Sequence, residues 1–302
     1  MKPSAPSSRF VLIGHPVLQS LSPAIHQAAY DQLGLPAHRY TAVDCADPDA
    51  VRAQIALLRS GDLAGANVTV PWKRLALELA DEVDAGALST GAANVLFPSG
   101  SNGTCRIVAH NTDVPALAEE LGRGRPGARS AVVIGNGGAA LAAVVACRSL
   151  GIGSVAVVAR SFRGAAADAW PHARELSARG GTPVAWPEGG GDSEFRRAVT
   201  GCDIVVQSTS DGMRGATDGT TVRDVVPWEA MDAGAFAYDV VYNPAVTPFV
   251  AAARGAGLRA ESGLGMLVGQ AVLALQLWLG VRPDAAPLRA AAERALAEKM
   301  RR

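Results

Sequence analysis

The chain of 302 residues carries 25 arginines but only three lysines, Lys2, Lys73 and Lys299. Lys2 and Lys299 stand at the ends and read as solvated tail residues. Lys73 closes the run Gly65-Ala66-Asn67-Val68-Thr69-Val70-Pro71-Trp72-Lys73. Where arginine supplies nearly all the positive charge, charge alone does not explain a lysine. A guanidinium stays protonated in proteins, whereas a partly desolvated ammonium can give and take a proton. Lys73 is therefore a candidate acid/base group; the plain alternative is a surface lysine with no chemistry.

A second group of residues suits a phosphate-bearing ligand. Gly135-Asn136-Gly137-Gly138-Ala139-Ala140 has the spacing G-x-G-x-x-A and directly follows the apolar run Ala131-Val132-Val133-Ile134. The first glycine permits a tight turn, the second lets a pyrophosphate approach the backbone, and the small third residue lets helix and strand pack closely. The anion then sits at a helix N-terminus, among free N–H groups. A tight strand-to-helix turn that binds nothing is the alternative. Twenty residues after Ala140 stands Arg160, within Ala159-Arg160-Ser161-Phe162-Arg163, with no Asp or Glu nearby. An acidic residue there would read the ribose hydroxyls of NAD, and an arginine the 2′-phosphate of NADP. NADP is expected ahead of NAD; a solvated arginine at a helix start is the alternative for Arg160.

These residues need elements to hold them. Phe10–Gly14 reads as a buried strand, and Ser22-Pro23 as an N-cap and first-turn proline for a helix to about Leu33. Tyr40–Asp44 and Asn67–Val70 read as strands, with a helix from Pro71. Asn94–Phe97 and Arg106–Ala109 read as a strand pair joined by a turn over residues 99–103. Further strands are expected at 131–134, 155–159, 203–206 and 236–240, with a helix at 138–150. Residues 183–191, rich in Gly and Pro, read as a surface loop. Gly263–Gly280 reads as a buried helix and 287–302 as a packed terminal helix. Strands alternating with Ala-rich helices imply a mostly parallel sheet with both faces covered. Hinges are expected near Asp113 and Ser262.

Composition narrows the class. Acidic and basic residues number 28 each, so no long-range field points to nucleic acid or an anionic membrane. Cys45, Cys105, Cys147 and Cys202 are isolated, so neither a metal site nor a disulfide framework is expected, and a reducing cytoplasm fits. Residues 1–9 read as a disordered lead-in rather than a signal peptide.

The remaining motifs are Gly14-His15-Pro16, Ser20-Leu21-Ser22-Pro23 with His26, Gly91-Ala92-Ala93-Asn94, Asn111-Thr112-Asp113, Ser208-Thr209-Ser210-Asp211-Gly212-Met213, Asp239-Val240-Val241-Tyr242-Asn243-Pro244, and 263–271 with Gln270. Together, and in this order, the motifs resemble the shikimate dehydrogenase family from about Phe10 to Gly280. The resemblance implies an α/β fold: a substrate domain of residues 1–113, completed by C-terminal helices at 263–302, and a Rossmann domain at 114–262. It implies reversible, nicotinamide-dependent reduction of 3-dehydroshikimate to shikimate, in a cytoplasmic monomer or homodimer. By motif position, Lys73 and Asp113 correspond to the family's catalytic pair. Ser20, Ser22, Thr69, Asn94, Tyr242 and Gln270 correspond to its substrate ligands. Gly135, Asn136, Gly137, Gly138, Ala139, Arg160, Ser161, Val240 and Gly263 correspond to the cofactor site.

Alternatives stand beside several of these. Ser22 reads equally as a helix N-cap, Asn94 as a turn residue, Asp113 as the cap of the next helix and Tyr242 as strand-end packing. Gln270 in an apolar helix is harder to dismiss, because a buried amide needs partners. His15, His26 and His110 read as structural. Val114-Pro115-Ala116 replaces the glycine usual after the Asn-Thr-Asp motif, which would stiffen the hinge or shift Asp113. Bulky Trp72 beside the lysine would alter the site mouth. The competing functions are a quinate or aminoshikimate dehydrogenase, with NAD as a candidate cofactor, and a metabolite sensor on the same fold.

Overall fold

The computed structural model describes residues 8–100, 105–164, 169–188 and 193–301. Lys2, most of the N-terminal lead-in, the centre of the turn over residues 99–103 and residues 189–191 of the expected loop lie outside the described residues. In chain order the elements are β1 (Arg9–Gly14), α1 (Ser22–Gln32), β2 (Arg39–Asp44), α2 (Pro48–Ser60), β3 (Gly65–Val68), α3 (Lys73–Glu78), β4 (Glu82–Val83), α4 (Ala85–Thr90), β5 (Val95–Ser99) and β6 (Arg106–His110). Then follow α5 (Asp113–Gly124), β7 (Ser130–Ile134), α6 (Gly138–Ser149), β8 (Ser154–Val158), α7 (Ala173–Ala178), β9 (Thr182–Val184), α8 (Glu194–Val199), β10 (Ile204–Gln207), α9 (Thr220–Val225), β11 (Phe236–Asp239), α10 (Pro248–Gly255), β12 (Arg259–Ser262), α11 (Leu264–Leu279) and α12 (Ala285–Arg301). The chain divides into two compact units, Met1–Asp113 with Leu267–Arg302, and Val114–Met266.

The first unit holds a six-stranded sheet in the order β2-β1-β3-β5-β6-β4. β1 runs parallel to β2 and β3, while β5 runs antiparallel to β3 and β6. Alternate residues serve opposite faces. Val11, Ile13, Ala66, Val68 and Leu96 pack with Val51, Ile55 and Leu58 of α2. Phe10 faces the other way and stacks on Trp278 of α11, with ring centroids 4.8 Å apart. Gly65 makes that approach possible: a Cβ there would lie 2.6 Å from Trp278 Nε1. α11 can thus lie close against β3.

The second unit holds an all-parallel sheet, β12-β11-β10-β7-β8-β9. Ala131 and Val133 point into one buried cluster with α6, Val132 and Ile134 into another with α8 and α10. Both faces are covered, as near-continuous apolar strands require. The strand order reverses beside β7, so β7 and β10 flank a topological switch point.

Several expectations need correcting. There are two sheets, and the first is mixed. β3 is bounded at Val68 rather than Val70, although Thr69 N and Val70 O still bond to Ile13 O and His15 N, and Val70 is left exposed. α3 starts at Lys73, not Pro71. Ser22 is not an N-cap: Leu21 occupies that position, with no side-chain cap. The segment from Pro183 is not simply a surface loop. β9 pairs with β8 as an edge strand, where proline is tolerated, and Trp186 is buried against Val184 and Phe195. No helix among the described residues is long and apolar enough to cross a membrane.

His26 of α1 is fully buried, and its ring stacks on Tyr40 at 3.7 Å and 11°. Burial pushes its imidazole down to about 4 from an ordinary value near 6.5. Between those values the unfolded chain binds a proton that the folded chain does not, so stability is lost as pH falls through the window. Denaturant titrations from pH 7 to pH 4 should show His26 contributing a loss of about 3 kcal/mol. His26→Phe, which keeps a stacking ring, should flatten that part of the profile. An unchanged profile in the variant would rule out His26 as the cause.

Candidate active site

One edge of the first sheet gathers the expected residues, and strand direction explains why. β1 and β3 are parallel neighbours, so the residues after Gly14 and after Val68 emerge at the same edge. β5 runs the opposite way, which brings its start to that edge, with Val95 opposite Asn67 and His110. β6 then ends there too. Backbone bonds extend the registration: Thr69 N donates to Ile13 O at 2.8 Å, His15 N to Val70 O at 3.0 Å, and Asn94 N to His110 O at 3.0 Å. β2 and β3 lie on opposite sides of β1, and the carboxyl ends of parallel strands at such a switch point are the usual ligand position in α/β folds.

Lys73 Nζ lies 2.7 Å from Asp113 Oδ2, with side chains 31% and 12% exposed. Both ends of the pair are anchored. Ala93 N donates to Lys73 O at 2.9 Å, tying α3 to the turn before Asn94. Asp113 N donates to Asn111 Oδ1 at 3.0 Å, and Asp113 opens α5 with Pro115 in its first turn. The Trp72 indole donates to Cys45 O at 2.7 Å and packs on the apolar cluster below.

Asn94 is buried between the pair and α11. Its Oδ1 accepts from Thr112 N at 2.7 Å; its Nδ2 donates to Thr112 Oγ1 at 2.9 Å and makes a long 3.5 Å approach to Gln270 Oε1. Gln270 Nε2 in turn donates to Leu267 O at 2.9 Å. Gln270 and Trp278 share a face of α11, so the Gly65–Trp278 contact sets where Gln270 falls. Thr69 lies half-buried, its methyl against Gly14.

Ser20 stands on the loop after β1, and Ser22 opens α1. Ser20 Oγ accepts the Ser22 N–H at 3.1 Å, and the two hydroxyls are 3.1 Å apart. Ser20 thus takes the Ser22 N–H, while the Ser22 hydroxyl is engaged by Ser20 and by Tyr40. Beneath them, His26 Nδ1 lies 2.9 Å from Ser22 O. Tyr40 donates from its hydroxyl to Asn67 Oδ1 at 2.7 Å and is also hydrogen-bonded to Ser22. Burial pushes the Tyr40 phenol well above its usual value. Asn67 Nδ2 reaches Asn94 O at 3.2 Å. A buried chain therefore runs from Ser22 through Tyr40 and Asn67 to Asn94. His15 lies 3.0 Å from Asp44 and His110 3.6 Å from Asp84.

In the second unit, Gly135 follows β7 with φ 133°, and a Cβ there would meet Ser208 Oγ at 2.5 Å. Gly137 and Gly138 have no atom within 4 Å of an added Cβ, and no side chain caps the first N–H groups of α6. Ala139 follows in the first turn and Ala140 is fully buried. The open backbone and uncapped N-terminus suit a pyrophosphate. Asn136 Nδ2 donates to Ser161 Oγ at 3.0 Å, joining the glycine turn to the end of β8. Arg160 is exposed beside it, and Arg163 stands over the Trp186 ring at 5.9 Å. Gly263 passes so close to Val240 that a Cβ would lie 2.1 Å from its carbonyl oxygen. Tyr242 belongs to this unit and is half-buried past β11. No group of three or more His, Cys, Asp or Glu among the described residues could hold a metal ion.

Comparison with known proteins decides the family. The sequence family described as shikimate dehydrogenase substrate binding domain matches residues 12–96, and that described as shikimate 5'-dehydrogenase C-terminal domain matches 263–293. The shikimate dehydrogenase (NADP(+)) of Rhodopseudomonas palustris is 35% identical over 292 residues, 95% of this chain and 97% of the relative. The chain belongs to the shikimate dehydrogenase family. The shikimate dehydrogenase (NADP(+)) of Geobacter sulfurreducens is 38% identical over 281 residues, 90% of this chain and 91% of that protein. Among solved structures, shikimate 5-dehydrogenase from Thermus thermophilus, in complex with NADP(H) and shikimate, is 32% identical with a TM-score of 0.78, covering 95% of this chain and 99% of that one.

Three family-site neighbours escaped the sequence reading. Tyr40 and Thr112 offered only a strand position and a motif position. Lys299, read as a solvated tail residue, instead donates to the carbonyls of Gln19 and Ser20. Its one signal was its rarity as a lysine. Tyr40→Phe should lower the stability of the first unit by about 1–3 kcal/mol, because Asn67 Oδ1 loses its donor while buried. Denaturant unfolding of the variant measures this; a change below a few tenths of a kcal/mol would show that the buried chain is not under load.

Proposed function

We propose that this chain is a shikimate dehydrogenase, interconverting 3-dehydroshikimate and shikimate with NADP(H) in the route to aromatic amino acids. The observation that carries the reading is the Lys73–Asp113 contact at 2.7 Å, set beside buried Asn94 and Gln270 in a chain of this family. Four cysteines free of disulfides support a reducing, cytoplasmic setting.

The roles follow from chemistry. Ser20 and Ser22 supply two hydroxyls 3.1 Å apart, bonded to each other, that would turn their protons to a carboxylate. Thr69, Asn94 and Gln270 supply neutral donors and acceptors for ring hydroxyls, the inventory that a small polyhydroxylated acid needs. When bound, NADP(H) supplies the hydride chemistry. The Lys73 ammonium would stabilise charge developing on the carbonyl oxygen and deliver the proton that completes the hydroxyl. Asp113 holds Lys73 Nζ in one place. In the reverse direction Lys73 takes that proton back.

On the second unit, the open backbone at Gly137 and Gly138 and the uncapped start of α6 would receive the pyrophosphate, with Gly135, Asn136 and Ala139 shaping the turn. Ser161 would hold Asn136. Arg160, exposed at the end of β8, would read the 2′-phosphate, and Val240 and Gly263 would border the site. No carboxylate stands at 159–163 to favour NAD.

Initial rates of nicotinamide absorbance change, with shikimate or quinate against NADP or NAD, test the reading. Fast turnover should occur only with shikimate and NADP; activity on quinate or a preference for NAD would overturn it. Arg160→Ala should weaken NADP by about 1–3 kcal/mol more than NAD. Equal weakening of both would remove Arg160 as the phosphate reader.

A further inference from the structure

The loop after β1 is tied down at both ends by charged side chains. Asp44 holds its beginning, with Oδ1 accepting from Val17 N at 3.1 Å and Oδ2 lying 3.0 Å from His15 Nδ1. Ser20 N then closes a turn onto Val17 O at 3.0 Å. Lys299 holds its end. From the last turn of α12, its ammonium donates to Gln19 O and approaches Ser20 O at 3.4 Å. These carbonyls belong to Ser20 itself and to the residue before it, just ahead of α1.

The placement has an electrostatic side. A lysine in the last turn of α12 is favourable for that helix, because the C-terminus carries partial negative charge. The same ammonium lies two to three residues ahead of the start of α1, whose N-terminus carries partial positive charge. Two positive poles side by side are unfavourable until an anion joins them. The Ser20 hydroxyl accepts the first N–H of α1, and the ammonium approaches the carbonyl of that same residue. A carboxylate held by Ser20 and Ser22 would be attracted by both poles at once. Nothing in the backbone requires lysine here; at this position an apolar or shorter side chain would leave α12 a good helix.

We propose that Lys299 is a positioning residue for the substrate carboxylate: it fixes the Gln19–Ser20 carbonyls, so the Ser20 and Ser22 hydroxyls keep their spacing, and it adds positive potential where the anion docks. The inference rests on the reading of Ser20 and Ser22 as carboxylate ligands. It makes the end of α12 part of substrate recognition and assigns a role to a second of the three lysines.

Two readouts on the full-length protein test it, in wild type, Lys299→Met and Lys299→Arg. The first is steady-state kinetics. Lys299→Met should raise KM for shikimate about tenfold, with kcat within about twofold and KM for NADP unchanged. Lys299→Arg, which can also donate to two carbonyls, should recover most of the loss. The second is amide hydrogen exchange over residues 17–25, which needs no turnover; exchange should be faster in Lys299→Met and near wild type in Lys299→Arg. Wild-type KM and exchange in Lys299→Met would overturn the proposal. So would a uniform fall in kcat and in affinity for both ligands, the signature of general destabilisation. If wild type did not turn over shikimate, the functional reading would fail by itself, and the exchange comparison would still decide whether Lys299 holds the loop.

Discussion

The contact between Lys73 Nζ and Asp113 Oδ2 joins residues forty apart in sequence, and much of the first unit is arranged around it. As a stabilising ion pair it counts for little: Lys73 is nearly one-third exposed, and pairs open to solvent contribute at most about 1 kcal/mol. Its value is positional. Lys73 is fixed by α3 and by the bond from Ala93 N to its carbonyl, Asp113 by Asn111 and the start of α5. A mixed sheet is needed to bring them together. Were β5 parallel to β3, Asn94 would emerge at the far edge and the pair would lose its buried neighbour.

A buried polar chain sits under this pair. Ser22, Tyr40, Asn67, Asn94 and Thr112 are each hydrogen-bonded to the next or to its backbone. Such a chain is stabilising only when every member is satisfied, and it then holds one arrangement against others. The second unit solves a different problem by opposite means. Around Gly137 and Gly138 it presents open backbone and an uncapped helix start. One unit gathers closely paired polar side chains, and the other presents bare backbone at a helix start.

Much of this was legible in the sequence. Apolar runs such as Ala131–Ile134 and Phe10–Gly14 marked strands within a residue of their ends, since buried parallel strands need continuous apolar residues. The family motifs named Lys73, Asp113, Asn94 and Gln270, and these four meet at one sheet edge. Less legible were features set by tertiary contact. Val70 has strand propensity and still accepts from His15 N, but its side chain is exposed beyond the end of β3. Ser22 has a cap's chemistry, yet the hydroxyl two residues earlier takes its N–H. The Pro183 segment has a loop's composition, but Val184 and Trp186 anchor it to the core. Lys299 belongs to a solvent-facing pattern at the chain end, and only the packing of α12 on α1 shows what it touches.

In the proposed function the division of labour turns on Lys73, which would move the proton while the other residues bind and orient. Turnover and NADP affinity of Lys73→Ala, measured side by side with wild type, probe that role without intermediaries. Turnover should fall by about 10²–10⁴-fold, with NADP binding nearly intact. Wild-type-like turnover in that variant would refute the assignment, and Lys73 would have no part in the chemistry.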